Sequence, residues 1–246
     1  MLSKAKEKYI RSLHQKKFRQ IESKFIVEGI KTINELLQLG YFPAELYLQE
    51  GVELSQKFPF VEYCSDSKIK SISQLSNPDG AIAIYKNSTF DSTFNGTLND
   101  KIVLVLNEMN DPGNLGTIMR TAAWFGINHI LLTENSVDIY NSKTLQAAKS
   151  SFAHVKSTYH NELDIFNLLK KNDYSIVVAH TDGKDAFEHN VNKKTALILG
   201  NEARGLSQFW INAADDQIAI KKIGEGESLN VAISAAILMA ACVRAF

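Results

Sequence analysis

The sequence predicts an α/β protein built as two layered domains, and three observations carry that expectation. Segments of strand and helix character alternate along the chain, the signature of sheets flanked by helices. From residue 102 onward the strand segments become unbroken apolar runs, as expected of parallel strands covered on both faces. Between the two regions, residues 86–100 are rich in Ser, Thr and Asn without sustained periodicity, which marks a linker. The domains are therefore expected at 1–95 and 100–246.

Taken in order, Leu2, Tyr9, Ile10, Leu13 and Phe18 recur at roughly helical spacing, so the arm is expected to form a helix docked by one face. Phe25 to Val27 reads as a short strand, and Gly29 precedes a helical run containing Ile30, Ile33, Leu36 and Leu37. Ala44 to Leu48, Phe60 to Cys64 and Gly80 to Tyr85 are further strands. Beyond the linker the strands are Ile102 to Leu106, His129 to Leu132, Ile176 to Ala179, Ala196 to Leu199 and Gln217 to Ile220. Helices are expected over Gly116 to Phe125 and Leu163 to Lys171. A final helix is expected from Leu229 to Phe246, where Ala232, Ala235, Ala236, Ala240 and Ala241 permit close approach of another backbone.

Composition narrows the class. Of 246 residues, 45% are hydrophobic and 22% charged, which excludes a disordered or collagenous chain. The longest apolar run, Val231 to Val243, has 13 residues, short of the ~20 a membrane span requires. The amino terminus lacks the apolar core of a secretory signal, so a cytoplasmic protein is expected. Cys64 and Cys242 are too few for a disulfide framework. The 27 basic and 27 acidic residues cancel, but not evenly along the chain. Residues 1–31 carry a net +6, residues 32–99 carry −4, and residues 100–246 carry −2. A basic arm on a mildly acidic body is the footprint of a polyanion binder; the alternative is an ordinary solvated helix face.

Three glycine-bearing polar segments follow strands of the second region, where ligands of open α/β sheets bind. The first runs from Asn107 to Arg120, with Asn114 and Arg120 six residues apart and so less than two helical turns. The second is Gly200 to Leu206, and the third is Lys221 to Val231. Singly, each could be turn chemistry, with Ser228 as N-cap of the last helix. Dinucleotide and P-loop glycine patterns are missing, which argues against a nucleotide-dependent dehydrogenase. The six histidines show no H-E-x-x-H and no neighbouring cysteine pair, so no metal is expected.

At these segments the sequence resembles the SpoU/TrmH family of RNA ribose 2′-O-methyltransferases, within the SPOUT class. The family's first motif, asparagine with arginine six residues later and then T-A and F-G, is matched by Asn114 to Gly126. The second, G-x-E-x-x-G-L, is matched by Gly200 to Leu206, and the third, S-L-N-V, by Ser228 to Val231. Lys221 stands where the family usually has proline, which leaves that backbone less constrained or offers RNA an extra cation. The amino-terminal part, with Lys17 to Arg19 and Phe25 to Gly29, resembles a small ribosomal-protein-like α/β substrate-binding domain.

The resemblance implies a SPOUT-type parallel sheet with a C-terminal trefoil knot, preceded by that small α/β domain. It implies S-adenosylmethionine bound around Gly200, Gly205, Ile220, Leu229 and Asn230, and a homodimer with the site near the subunit interface. The implied reaction is methylation of a ribose 2′-hydroxyl in structured RNA, ribosomal RNA ahead of transfer RNA. A non-catalytic RNA-binding or ribosome-assembly protein on the same fold is the competing reading. Arg120 takes a catalytic role, as base or, because a guanidinium stays protonated, as phosphate fork and oxyanion stabiliser. Asn114, Ser228 and Asn230 would orient the ribose, and Glu202 would hold the loop or Arg120. Lys16, Lys17, Arg19 and Arg120 are the RNA-binding candidates, and removing residues 1–20 is expected to weaken RNA binding alone.

Overall fold

Alternation within each strand decides which sheet face meets which helices. The computed structural model describes residues 2–90, 96–189 and 193–244, so the middle of the expected linker and the last two residues of the expected final helix lie outside the described residues. The first sheet has the order β1-β4-β2-β3, from β1 (Lys24–Glu28), β2 (Glu45–Gln49), β3 (Val61–Cys64) and β4 (Ala81–Lys86). On one face Ile26, Tyr47, Ile82 and Ile84 pack with Ile10 and Leu13 of the amino-terminal arm and with Ile69 and Ile72 of α4 (Asp66–Ile72). On the other, Phe25, Val27, Leu46, Leu48, Ala83 and Tyr85 pack against Ile33, Leu36 and Leu37 of α3 (Ile30–Gln38). Period-two side chains thus serve two cores.

The arm is two helices, α1 (Lys4–Ser12) and α2 (Lys16–Glu22). Leu2, Ile10 and Leu13 are buried, so the arm is part of the first core and not an appendage. Arg19 departs from expectation. It is 5% exposed, with Nε and Nη2 donating to Asp138 Oδ2 at 3.0 and 2.7 Å, and Nη1 donating to the carbonyls of Leu13 and His14. A guanidinium so enclosed cannot also grip RNA. Removing residues 1–20 would likewise strip the core, so truncation does not isolate RNA binding.

The second sheet has six parallel strands in the order β10-β8-β9-β5-β6-β7. These are β5 (Ile102–Leu106), β6 (His129–Thr133), β7 (Lys156–His160), β8 (Ser175–Asp185), β9 (Thr195–Leu199) and β10 (Asp216–Ala219). One face carries α5 (Pro112–Trp124), α6 (Ser142–Ala148) and α9 (Val231–Arg244); the other carries α7 (Glu162–Lys171) and α8 (Gln208–Ala213). Buried residues of α5, α6 and α9 form one cluster with α3 and the first sheet. Phe25 stacks on Tyr140 at 4.1 Å between ring centroids, and Ser150 Oγ donates to Glu35 Oε2 at 2.6 Å. With Arg19–Asp138, these contacts join the two sheets into one packed body. Among the described residues no helix is long and apolar enough to cross a membrane.

Candidate active site

Helix α5 begins earlier than its periodicity suggests. Asp111 accepts a hydrogen bond from Asn114 N at 2.7 Å, and Pro112 occupies the first turn, where its missing N–H costs nothing. This places Asn114 in the first turn and Arg120 on the same helix, exposed. Gly116 fixes the helix against α6: a Cβ there would lie 2.3 Å from Thr144 O and 2.7 Å from Ala147 Cβ. The last helix starts at Val231, and its cap is Asn230, whose Oδ1 accepts from Ala232 N at 2.8 Å. Ser228, the cap expected from sequence, is exposed and makes no hydrogen bond to a described residue.

Three loops meet through side-chain amides. Asn114 Nδ2 donates to Glu202 Oε1 at 3.0 Å, and Asn230 Nδ2 donates to Asn114 Oδ1 at 3.0 Å. The relay joins the start of α5, the loop after β9 and the head of α9. Glu202 therefore holds Asn114, not Arg120. Asn114 and Asn230 bind each other, which differs from two free ribose ligands. The Arg120 guanidinium forms no hydrogen bond or ion pair with another described residue, so its donors are unspent.

The 200–207 loop is held tightly. Asn201 and Gly205 exchange backbone hydrogen bonds at 2.9 Å, and Gly205 has φ +71°. A Cβ on Gly200 would sit 2.4 Å from Gly205 C and 2.6 Å from Leu206 N, so only glycine fits there. Sequence reasoning passed over Asn201, which is 7% exposed. Its Oδ1 accepts from Ala203 N and Arg204 N, and its Nδ2 donates to Glu108 O at 2.7 Å. Glu108 adopts φ +54°, a left-handed conformation seldom taken by non-glycine residues, and its N–H donates to Thr133 Oγ1 at 2.8 Å. A polar pair immediately after an apolar strand, Asn107-Glu108, was the available signal.

The third loop is open. Residues 221–230 are all exposed, and no hydrogen bond joins 221–229 to another described residue. Ile223 is 94% and Leu229 52% exposed, while Ile220 packs against the core. Lys16 and Lys17 are exposed on α2, far in sequence from these loops, together with Lys4 and Lys8 on α1.

Residues 101–240 match the SpoU rRNA methylase family. The chain belongs to that family. Membership makes it an RNA methyltransferase, and residues 4–83 match the MRM3-like substrate binding domain. The chain is 27% identical to a 23S rRNA guanosine 2′-O-methyltransferase of Bacillus subtilis, covering 93% of this chain and 92% of that protein. It is 32% identical to a solved TrmH-family protein from Porphyromonas gingivalis, with TM-score 0.87 and 99% of both chains covered. An rRNA methyltransferase from Sinorhizobium meliloti, solved with S-adenosylmethionine bound, is 25% identical, with TM-score 0.86 and coverage of 99% and 97%.

Proposed function

We propose that this methyltransferase acts on a ribose 2′-hydroxyl of ribosomal RNA, with S-adenosylmethionine as methyl donor. The observation that carries the reading is the Glu202–Asn114–Asn230 relay, which ties together the segments bearing all three family motifs, with the uncommitted Arg120 six residues further along the same helix. Gly200, Gly205, Ile220, Leu229 and the open backbone of 221–229 would hold the donor, which supplies an electrophilic sulfonium methyl when bound. Arg120 binds the phosphate beside the target ribose through its planar fork and steadies charge on the 2′-oxygen as the hydroxyl proton passes to solvent water. Holding the hydroxyl in line is the main service such a displacement needs. Ser228, with an unspent hydroxyl, orients the ribose, and Asn114 keeps one amide hydrogen for the same use.

The finer features follow the family. Lys16 and Lys17 grip backbone phosphates from the first domain (1–95), while the second (100–246) carries the chemistry. The path from β10 at the sheet edge back to α9, packed on α5 and β9, supports the C-terminal knot. Exposed Leu229 and Ile233 at the head of α9, with Trp124 at 85% exposure on α5, support a homodimer that covers them. The enzyme works in the cytoplasm, where ribosomal RNA is met.

Two measurements test this. Titration calorimetry should show saturable S-adenosylmethionine binding. Ribose-methylation mapping of total RNA from a deletion strain should reveal one missing ribosomal RNA site that returns on complementation. A missing site in transfer RNA would redirect the substrate, and no missing site would refute the activity.

A further inference from the structure

We infer that Glu162 and Asn107 are positioning residues that clamp the exit of the 200–207 loop, and through it the cofactor site; this rests on the cofactor reading above. Glu162 opens α7, on the opposite face of the sheet from α5. Its Oε1 accepts from Asn107 Nδ2 at 3.0 Å and from Ser207 Oγ at 2.6 Å. Asn107 Oδ1 in turn accepts from the Ser207 backbone N–H at 3.0 Å, which closes a triangle of three residues. Asn107 is 2% exposed, immediately follows β5, and donates its backbone N–H to Leu199 O at 2.8 Å.

The triangle seizes the loop at one point and Asn201 seizes it from within. Between the two lies Glu202, the end of the relay to Asn114 and Asn230. The triangle's polar atoms are spent on one another, so its effect travels through the loop. Asn107 spends both ends of its amide on the clamp, and in a buried setting an amide left half-paired would reorient. Without Glu162, Asn107 Nδ2 and Ser207 Oγ lose their shared acceptor, and Ser207 N is held by a side chain free to turn.

The test compares Glu162→Ala with Glu162→Gln, because a glutamine Oε1 can still accept both hydrogen bonds. Amide exchange of the Gly205 to Ser207 segment is measured on the protein alone, and S-adenosylmethionine and RNA affinities are measured separately. In Glu162→Ala, which removes both hydrogen bonds to Oε1, the segment should exchange at least about tenfold faster, and cofactor Kd should rise about tenfold. Glu162→Gln should stay within about threefold of the parent in both, with RNA Kd constant throughout. Unchanged exchange in Glu162→Ala would overturn the inference. So would equal damage from both variants, which would indicate helix-end charge, or parallel losses of RNA and cofactor binding, which would indicate general destabilisation. Absence of cofactor binding by the parent would instead refute the cofactor reading, while the exchange comparison would still decide the clamp.

Discussion

Arg19→Ala should destabilise the protein far more than any other substitution of a basic residue in the arm. The side chains of Arg19 and Asp138 are 6% and 15% exposed, and the guanidinium makes two hydrogen bonds to one carboxylate oxygen and two to backbone carbonyls. Breaking one side of a buried pair costs about 3–5 kcal/mol, mostly because the other charge remains buried alone. The carbonyls of Leu13 and His14 lose their donors as well. For a chain of this size that loss lowers Tm by roughly 6–20 °C. Urea unfolding followed by circular dichroism measures it, with Asp138→Asn as companion. Because the two residues share one interaction, the double variant should cost less than the sum of the singles, by at least about 1 kcal/mol. A loss below about 1 kcal/mol for Arg19→Ala, or strict additivity, would refute the argument and return Arg19 to the surface.

Arg120→Lys should lower kcat at least about a hundredfold with cofactor binding intact, because a point charge cannot reproduce the fork; near-normal single-turnover rates would exclude the proposed role. Asn114→Asp should be worse than Asn114→Ala, since it sets a carboxylate against Glu202 at hydrogen-bond distance; thermal shift and turnover together would show it. Lys16→Glu with Lys17→Glu should leave Tm nearly unchanged yet weaken RNA binding and reduce its log–log salt slope by about 1–2. An unaltered slope would make that face a solvated one. Burial alone would raise the Glu45 carboxyl, but hydrogen bonds from Lys6 and Tyr47 and the Lys24 charge hold it below the ordinary value. Its stabilisation is therefore full above the unfolded-state pKa and fades as pH falls through the folded one. The stability gap between the parent and Glu45→Gln should therefore narrow as pH is lowered below the ordinary carboxylate range in urea titrations, and a gap that widens on acidification would refute the argument.

Apolar pattern carried most of the fold. Strands β5 and β9 are buried at every residue, and their runs Ile102 to Leu106 and Ala196 to Leu199 were visible at once. Strand β7, Lys-Ser-Thr-Tyr-His, was not, because it lies at the sheet edge with no fully buried position and needs no apolar run. Helix ends were misplaced where capping overrode periodicity, at Asp111 and Asn230. The charge count on 1–31 correctly marked the arm as basic but could not distinguish Lys17 from Arg19. Two residues apart on a helix they point to different sides, one to solvent and one to Asp138, and only the partner domain decides which is buried. The motif residues were legible singly. That Glu202, Asn114 and Asn230 would spend their groups on one another was not, since their separations of 88 and 116 residues carry no local signal.

That spending limits what each group can do in the proposed reaction. Asn230 uses its oxygen to cap α9 and its nitrogen to hold Asn114, so it cannot leave for substrate without fraying the helix. Glu202 shares an oxygen with Asn114, and displacing it would uncouple the 200–207 loop from α5. These groups are most useful where they are, as a brace that keeps three loops in register with few degrees of freedom left to freeze on binding. Arg120 stands on the helix the brace secures, with its whole fork free, six residues and less than two turns beyond Asn114. A site that commits its neutral amides to scaffolding and leaves the Arg120 guanidinium uncommitted, while Arg204 pairs with Glu108 at 3.7 Å, suits the proposed role of meeting a charged oxygen, either a phosphate already present or a 2′-oxyanion as it forms.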